Sequence, residues 1–224
     1  MMRKIGQDIW IVRLPLLPFG TLATMTIVRI GTKLIILSPI QPYEGLFDEL
    51  DRLGEVAVII APNGFHHLYF KAFIHQYPEA EFLYSKAASK KISERLENYA
   101  HAHELNELEK YWWKDDLSVF LIGGMPAVQE HVFYHVPSKS LVVFDAWFNI
   151  NEAKSFMARF FWFLVGLKPH VPGQSRYFRS RIKDHEAYKN SMMNIRNLLV
   201  DRIVVAHENV IEGQKICSEI LQRT

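Results

Sequence analysis

Residues 56–67 read Val56-Ala57-Val58-Ile59-Ile60-Ala61-Pro62-Asn63-Gly64-Phe65-His66-His67. An apolar run enters a Pro-Asn-Gly break, and two adjacent histidines open an amphipathic segment. A strand, a tight loop and a helix start are where α/β folds place chemistry, because the carboxyl ends of strands leave a crevice. The two imidazoles are either metal ligands or ordinary helix-start histidines, and the stretch alone leaves both open.

Outward from this stretch, strands and helices mix. Upstream, residues 9–14, 23–30 and 33–37 read as strands rich in β-branched and aromatic residues, with a Pro15/Pro18/Gly20 loop and a Gly31-Thr32 turn between them. Leu46, Phe47, Leu50 and Leu53 fall at helical spacing before Gly54. The run 56–61 is continuously apolar, as a strand covered on both faces would be. Downstream, the pattern predicts a helix over 66–76, a strand over 81–84 and a helix from the cap Ser85 to about residue 98. A charged, solvated helix is expected over 101–110, with Trp112-Trp113 anchoring a core edge. A strand over 117–122 and a hairpin of 130–136 with 140–144 follow. Helices are expected over 153–165 and 184–199, then a strand over 203–206 and a last helix. No repeat or linker interrupts the chain, so one domain over residues 1–224 is expected, α/β or α+β and built on two sheets.

Composition narrows the function classes. The chain has 224 residues, 49% hydrophobic and 22% charged, enough for a sizeable core. A formal net charge of +2 is too mild for a nucleic-acid reader. A single cysteine, Cys217, excludes a disulfide framework and cysteine zinc clusters. No run approaches the ~20 apolar residues of a membrane span, and the first eight residues lack a signal-peptide core. A cytoplasmic protein is the expectation.

Three apolar strands end in titratable residues. Ile59-Ile60-Ala61 leads to His66 and His67, Val142-Val143-Phe144 to Asp145, and Val204-Val205-Ala206 to His207. If those strand ends share one edge, the set forms a nitrogen and oxygen site suited to zinc or iron. Taken singly, a strand-end His is more often a surface or satisfied histidine, and an Asp after a strand more often a cap or turn former.

The order of these motifs resembles the metallo-β-lactamase superfamily, a four-layer αββα sandwich of metal-dependent hydrolases. The resemblance runs from the first strand to His207. Its His-x-His-x-Asp-His loop is degenerate here. Pro62 and Gly64 fall where the first two histidines would be, His66 falls at the Asp, and His67 matches the last His. Ala127 stands where the hairpin histidine is expected, with Glu130 and His131 nearby. Asp145 matches the bridging Asp and His207 the final His, while Leu37-Ser38-Pro39 replaces the usual Asp-Thr-Gly-like turn. The resemblance implies that one of two metal positions is lost. The other would hold one zinc or iron on His66, His67, Asp145 and His207, with His66 and Asp145 as the catalytic pair. His66 would be fourth ligand or proton-transfer group. It implies a hydrolase of an unidentified small molecule, or a metal-free descendant serving as a binding module.

Other features carry less. His101 and His103 read as solvated, and His131 and His135 as hairpin residues on one side of a strand. Phe156, Phe160, Phe161, Trp162 and Phe163 crowd a short segment that reads as a core helix. The alternatives are a lid, a dimer face or a membrane-surface contact. Arg176, Arg179, Arg181 and Lys183, with Tyr177 and Phe178, read either as a solvated loop or as a reader of an anionic ligand.

Overall fold

A computed structural model describes residues 2–16, 21–94, 101–105, 110–150, 156–207 and 209–223. Seven strands form one sheet: β1 (Arg3–Gly6), β2 (Ile9–Leu16), β3 (Thr21–Ile30), β4 (Lys33–Leu37), β5 (Glu55–Ala61), β6 (Glu81–Tyr84) and β7 (Ala102–Glu104), in that order. The first four pair antiparallel and the rest parallel. The second sheet runs β12 (Ile211–Glu212), β11 (Arg202–Val205), β10 (Ser140–Val143), β9 (His131–His135) and β8 (Leu117–Leu121).

Period-two alternation sorts the side chains of each strand between two cores. Ile9 and Ile11, Ile35 and Leu37, and Val58 and Ile60 face Phe133, Val142, Phe144 and Val204 of the other sheet. Their alternates Trp10, Val12, Leu34, Ile36 and Ile59 pack under α1 (Leu46–Leu53), α2 (Phe70–Gln76) and α3 (Ser89–Ser93). Leu141, Val143, Ile203 and Val205 pack under α5 (Arg176–Ser180), α6 (His185–Arg196) and α7 (Gln214–Gln222). The layers are therefore α, β, β, α, as the motif order implied. Cys217 lies inside the last of these cores, where burial pushes its thiol up to about 11.

Several expectations are corrected. The helix expected from His66 begins only at Phe70, because a loop intervenes. The helix expected over 101–110 is β7 in its described part: Phe82 N–H donates to the His101 carbonyl at 2.9 Å and Leu105 N–H to the Tyr84 carbonyl at 2.8 Å. Ser85 does not cap. Its hydroxyl donates to the Gln129 carbonyl at 2.8 Å, and a 3₁₀ turn over Lys86–Ala88 leads into α3. The parts of those two expected helices at 95–100 and 106–109, the start of the aromatic helix at 153–155, and Pro18 and Gly20 of the expected loop lie outside the described residues, while Pro15 of that loop continues β2, paired with Leu22 of β3. Trp113 is fully buried as expected, while Trp112 is exposed. Asp184 caps α6 from one position earlier than the helix itself, accepting from the Glu186 and Ala187 N–H groups at 3.0 Å.

The aromatic segment departs most. It forms α4 (Phe156–Leu164), but only Trp162 of its described aromatics is buried, against Ile150 and Leu167. Phe156 and Phe163 are 79% and 70% exposed. Among the described residues, no helix is long and apolar enough to cross a membrane.

Candidate metal centre

Strand register brings the site together. β10 and β11 run parallel with Val143 opposite Val205. Continuing two residues past each places Asp145 beside His207. The Thr24 N–H donates to the Ala206 carbonyl at 2.8 Å, tying the end of β11 to β3 of the other sheet. Ser38 follows β4, and the Ser38 N–H donates to the Ile60 carbonyl of β5. The carboxyl ends of β4, β5, β10 and β11 thus meet at one edge of the sandwich. There they enclose a cavity of about 210 Å³ lined by Ser38, His66, Asp145 and His207 on its polar side. Ile40, Phe65, Leu68 and Tyr69 contribute the apolar wall.

The Pro62–His67 loop decides which histidine enters. Asn63 is fully buried, and its Oδ1 accepts both the Phe65 and the His66 N–H at 2.9 Å, an Asx turn. The His131 N–H donates to the Pro62 carbonyl and the Gly64 N–H to the Val128 carbonyl, which anchor the turn to the second sheet. His66 then faces the cavity. Its Nε2 lies 3.3 Å from Asp145 Oδ2, and its Nδ1 lies 2.7 Å from Ser38 Oγ. His207 Nε2 lies 3.7 Å from Asp145 Oδ1, with the Phe148 ring stacked on its imidazole at 5.3 Å.

The sequence placed His66, His67, Asp145 and His207 in one ligand set. The structure brings together His66, Asp145 and His207, whose ligand atoms all lie within 4.8 Å of one another, and leaves His67 out. The Asx turn explains the difference. It spends the turn on aiming His66 inward, and His67, whose N–H donates to the Phe65 carbonyl, is buried outside the cavity lining. His131 is also buried and outside the cluster. Its Nδ1 lies 3.2 Å from the Pro62 carbonyl, and burial pushes its imidazole down to about 4.

Glu130, fully buried, organises the other wall. It accepts the Phe144, Asp145 and Ala146 N–H groups at 3.0, 2.9 and 3.0 Å, which fixes the backbone that presents Asp145. Asn63 Nδ2 bridges the two carboxylates, donating to Asp145 Oδ2 at 2.7 Å and Glu130 Oε2 at 3.3 Å. Burial and then the negative charge of Asp145 push Glu130 up to about 8, against the pull of the three N–H groups. For Asp145, burial acts upward too. The neighbouring His66 and His207 outweigh it and hold the carboxyl well below the usual carboxylate range.

The donor set is a candidate metal-binding group, with ligand atoms within 4.8 Å of one another. A tetrahedral ion with bonds of ~2.0–2.2 Å spaces its ligand atoms roughly 3.3–3.6 Å apart. The His66 and His207 nitrogens stand 3.3 and 3.7 Å from the Asp145 oxygens they face. Two imidazoles and a carboxylate suit zinc or iron, and three ligands leave a fourth position open. Ser38, Asn63 and Glu130 were not among the residues singled out as ligands. Asn63 was signalled by its place in a Pro-Asn-Gly break, since Asn favours Asx turns. Ser38 carries a positive φ of 56° at a strand end, a conformation invisible in sequence.

A family model described as Domain of unknown function (DUF4336) matches residues 17–161. That stretch contains His66 and Asp145 and ends before His207. No curated protein matches the chain. Among solved structures, a metallo-β-lactamase from Hirschia baltica is 11% identical with a TM-score of 0.63, covering 99% of this chain and 96% of that one. A metallo-β-lactamase from Pontibacter korlensis is 12% identical with a TM-score of 0.60, covering 100% and 99%. The rubredoxin oxygen:oxidoreductase of Desulfovibrio gigas is 14% identical with a TM-score of 0.67, covering 100% of this chain and 60% of that one. The shared property is the metallo-β-lactamase fold.

Proposed function

This chain belongs to the DUF4336 family, and from the metallo-β-lactamase fold it carries we propose a hydrolase that works with one bound metal ion. The observation that supports this is the cluster of His66, Asp145 and His207, with ligand atoms within 4.8 Å of one another at the floor of a strand-end cavity. Zinc or iron held there supplies Lewis acidity toward a carbonyl or phosphoryl oxygen and toward water.

The chain's own groups have separable tasks. Asp145 stays ionised and faces both imidazoles. With His66 Nε2 given to the ion, its Nδ1–H donates to Ser38 Oγ, which fixes the tautomer and the ring plane. Glu130 holds the 144–146 backbone, and Asn63 holds the histidine loop. The wall of Ile40, Phe65, Leu68 and Tyr69 takes the apolar part of a small-molecule substrate.

A second reading is favoured by one observation. The Asn63 amide already donates to Asp145 Oδ2, and both histidines face the same carboxylate, so the cluster is held together by its own contacts. On that reading the protein is a metal-free binding module. One experiment separates the two. Protein stripped by a chelator is titrated with cobalt(II) and read by visible absorption, then reloaded with zinc and assayed on thioester, lactone, lactam and phosphodiester probes. The hydrolase reading predicts one site per chain and turnover of a probe class that Asp145→Ala abolishes. No cobalt uptake by a folded protein overturns it and leaves the binding module.

A further inference from the structure

We propose that α4 and the basic segment after it form a docking surface for an anionic lipid membrane, independently of what the cavity binds. Exposure is the first observation. Phe156, Met157, Phe160, Phe163 and Leu164 of a nine-residue helix face outward, continued by exposed Val171 and Tyr177. Soluble surfaces scatter single apolar residues and rarely gather this many on one element.

Charge is the second and identifies the occupant. Residues 156–183 contain Arg159, Lys168, Arg176, Arg179, Arg181 and Lys183 and no Asp or Glu. The whole chain, by contrast, balances 26 Lys and Arg against 24 Asp and Glu. A short apolar helix carrying one Arg and followed by a run of cations without carboxylates matches the interface of an anionic bilayer, where rings enter the headgroup boundary and guanidiniums meet phosphates. At about 1.5 Å per residue the helix is too short to span and long enough to lie flat.

Continuity with the site is the third. The Arg176 N–H donates to the Val165 carbonyl, which joins α5 to the end of α4. Tyr177 of α5 meets the Phe65 ring of the cavity wall at 6.2 Å, and Arg181 covers Tyr177 at 4.4 Å. Docking through α4 therefore engages a surface joined through α5 to the Phe65 side of the cavity.

The test is vesicle co-sedimentation of the full chain, with phosphatidylcholine alone and with phosphatidylcholine and phosphatidylserine at three to one. Binding is expected only to the second, falling steeply with salt. Phe160→Ser with Phe163→Ser should abolish it, and both residues are exposed, so melting temperature stays near wild type. Arg179→Gln with Lys183→Gln should weaken it about 30-fold, at about fivefold per cation. Equal binding to both vesicles, or none, overturns the proposal. Absence of vesicle binding together with a dimer that Phe163→Ser dissociates assigns the face to a second copy. None of these readouts depends on metal or on hydrolysis.

Discussion

Replacing Asn63 by Ala tests how the loop selects its histidine. The change removes an acceptor for two backbone N–H groups and a donor to Asp145 and Glu130. Each N–H left without its partner costs ~1–2 kcal/mol, and the lost hydrogen bond to ionised Asp145 ~1.5–3 kcal/mol. The amide's own desolvation, recovered on truncation, returns about 1 kcal/mol. The net expectation is a destabilisation of about 3–6 kcal/mol. For a chain of this length that lowers the melting temperature by about 10 °C or more. Urea unfolding and thermal melts followed by circular dichroism read it directly. Asn63→Asp sharpens the test, because it keeps the oxygen that forms the turn and replaces the bridging amide with a third carboxylate. Asn63→Asp should retain the loop yet lose stability through repulsion with Asp145, and lose more of it at pH 8 than at pH 5. An Asn63→Ala protein within about 1 kcal/mol of wild type, binding cobalt as tightly, would mean that Asn63 does not aim the loop.

Three further outcomes follow from the same contacts. Burial holds His131 at about 4 in the folded protein against 6.5 unfolded, so the unfolded chain binds more protons between those values. Stability is full above pH 6.5 and falls by about 3 kcal/mol toward pH 4, a slope that His131→Asn should flatten in urea titrations. His67→Asn should leave one metal site per chain, whereas His207→Ala should weaken cobalt binding at least 10-fold; equal loss in both would restore His67 to the ligand set. Gly124 has a φ of +75°, and a Cβ there would run into the Asp184 carbonyl, so Gly124→Ala should cost about 3 kcal/mol in a thermal melt.

The layered fold was legible because its strands are apolar runs of two-sided burial, and the two sheets' residues alternate between cores as period two requires. Residues 33–37 and 81–84 are strands as expected, and the hairpin about residues 137–139 pairs Ser140 with His135. The site was legible as strand ends, since Asp145 and His207 follow neighbouring parallel strands in matched register. Adjacent histidines were not separable, because the Asx turn decides which of two consecutive side chains faces the cavity, and the placement of that turn depends on the long-range bonds of the Asn63 amide to Glu130 and Asp145. The aromatic helix was misread for a different reason. Composition records that Phe160 and Phe163 are apolar, but what covers them depends on the neighbouring chain, and here nothing among the described residues buries them. Residues 102–104 form a strand against their charged composition because β6 presents an open parallel edge.

Whether His66, Asp145 and His207 hold one ion separates the proposed hydrolase from a metal-free binding module. The most direct measurement is elemental analysis of protein purified without added metal, wild type beside Asp145→Ala. Close to one equivalent of zinc or iron is expected in the wild type, with a near-complete loss in the variant, since a folded site retains its ion. Less than about a tenth of an equivalent in a wild type that also takes up none on zinc addition would contradict the hydrolase reading.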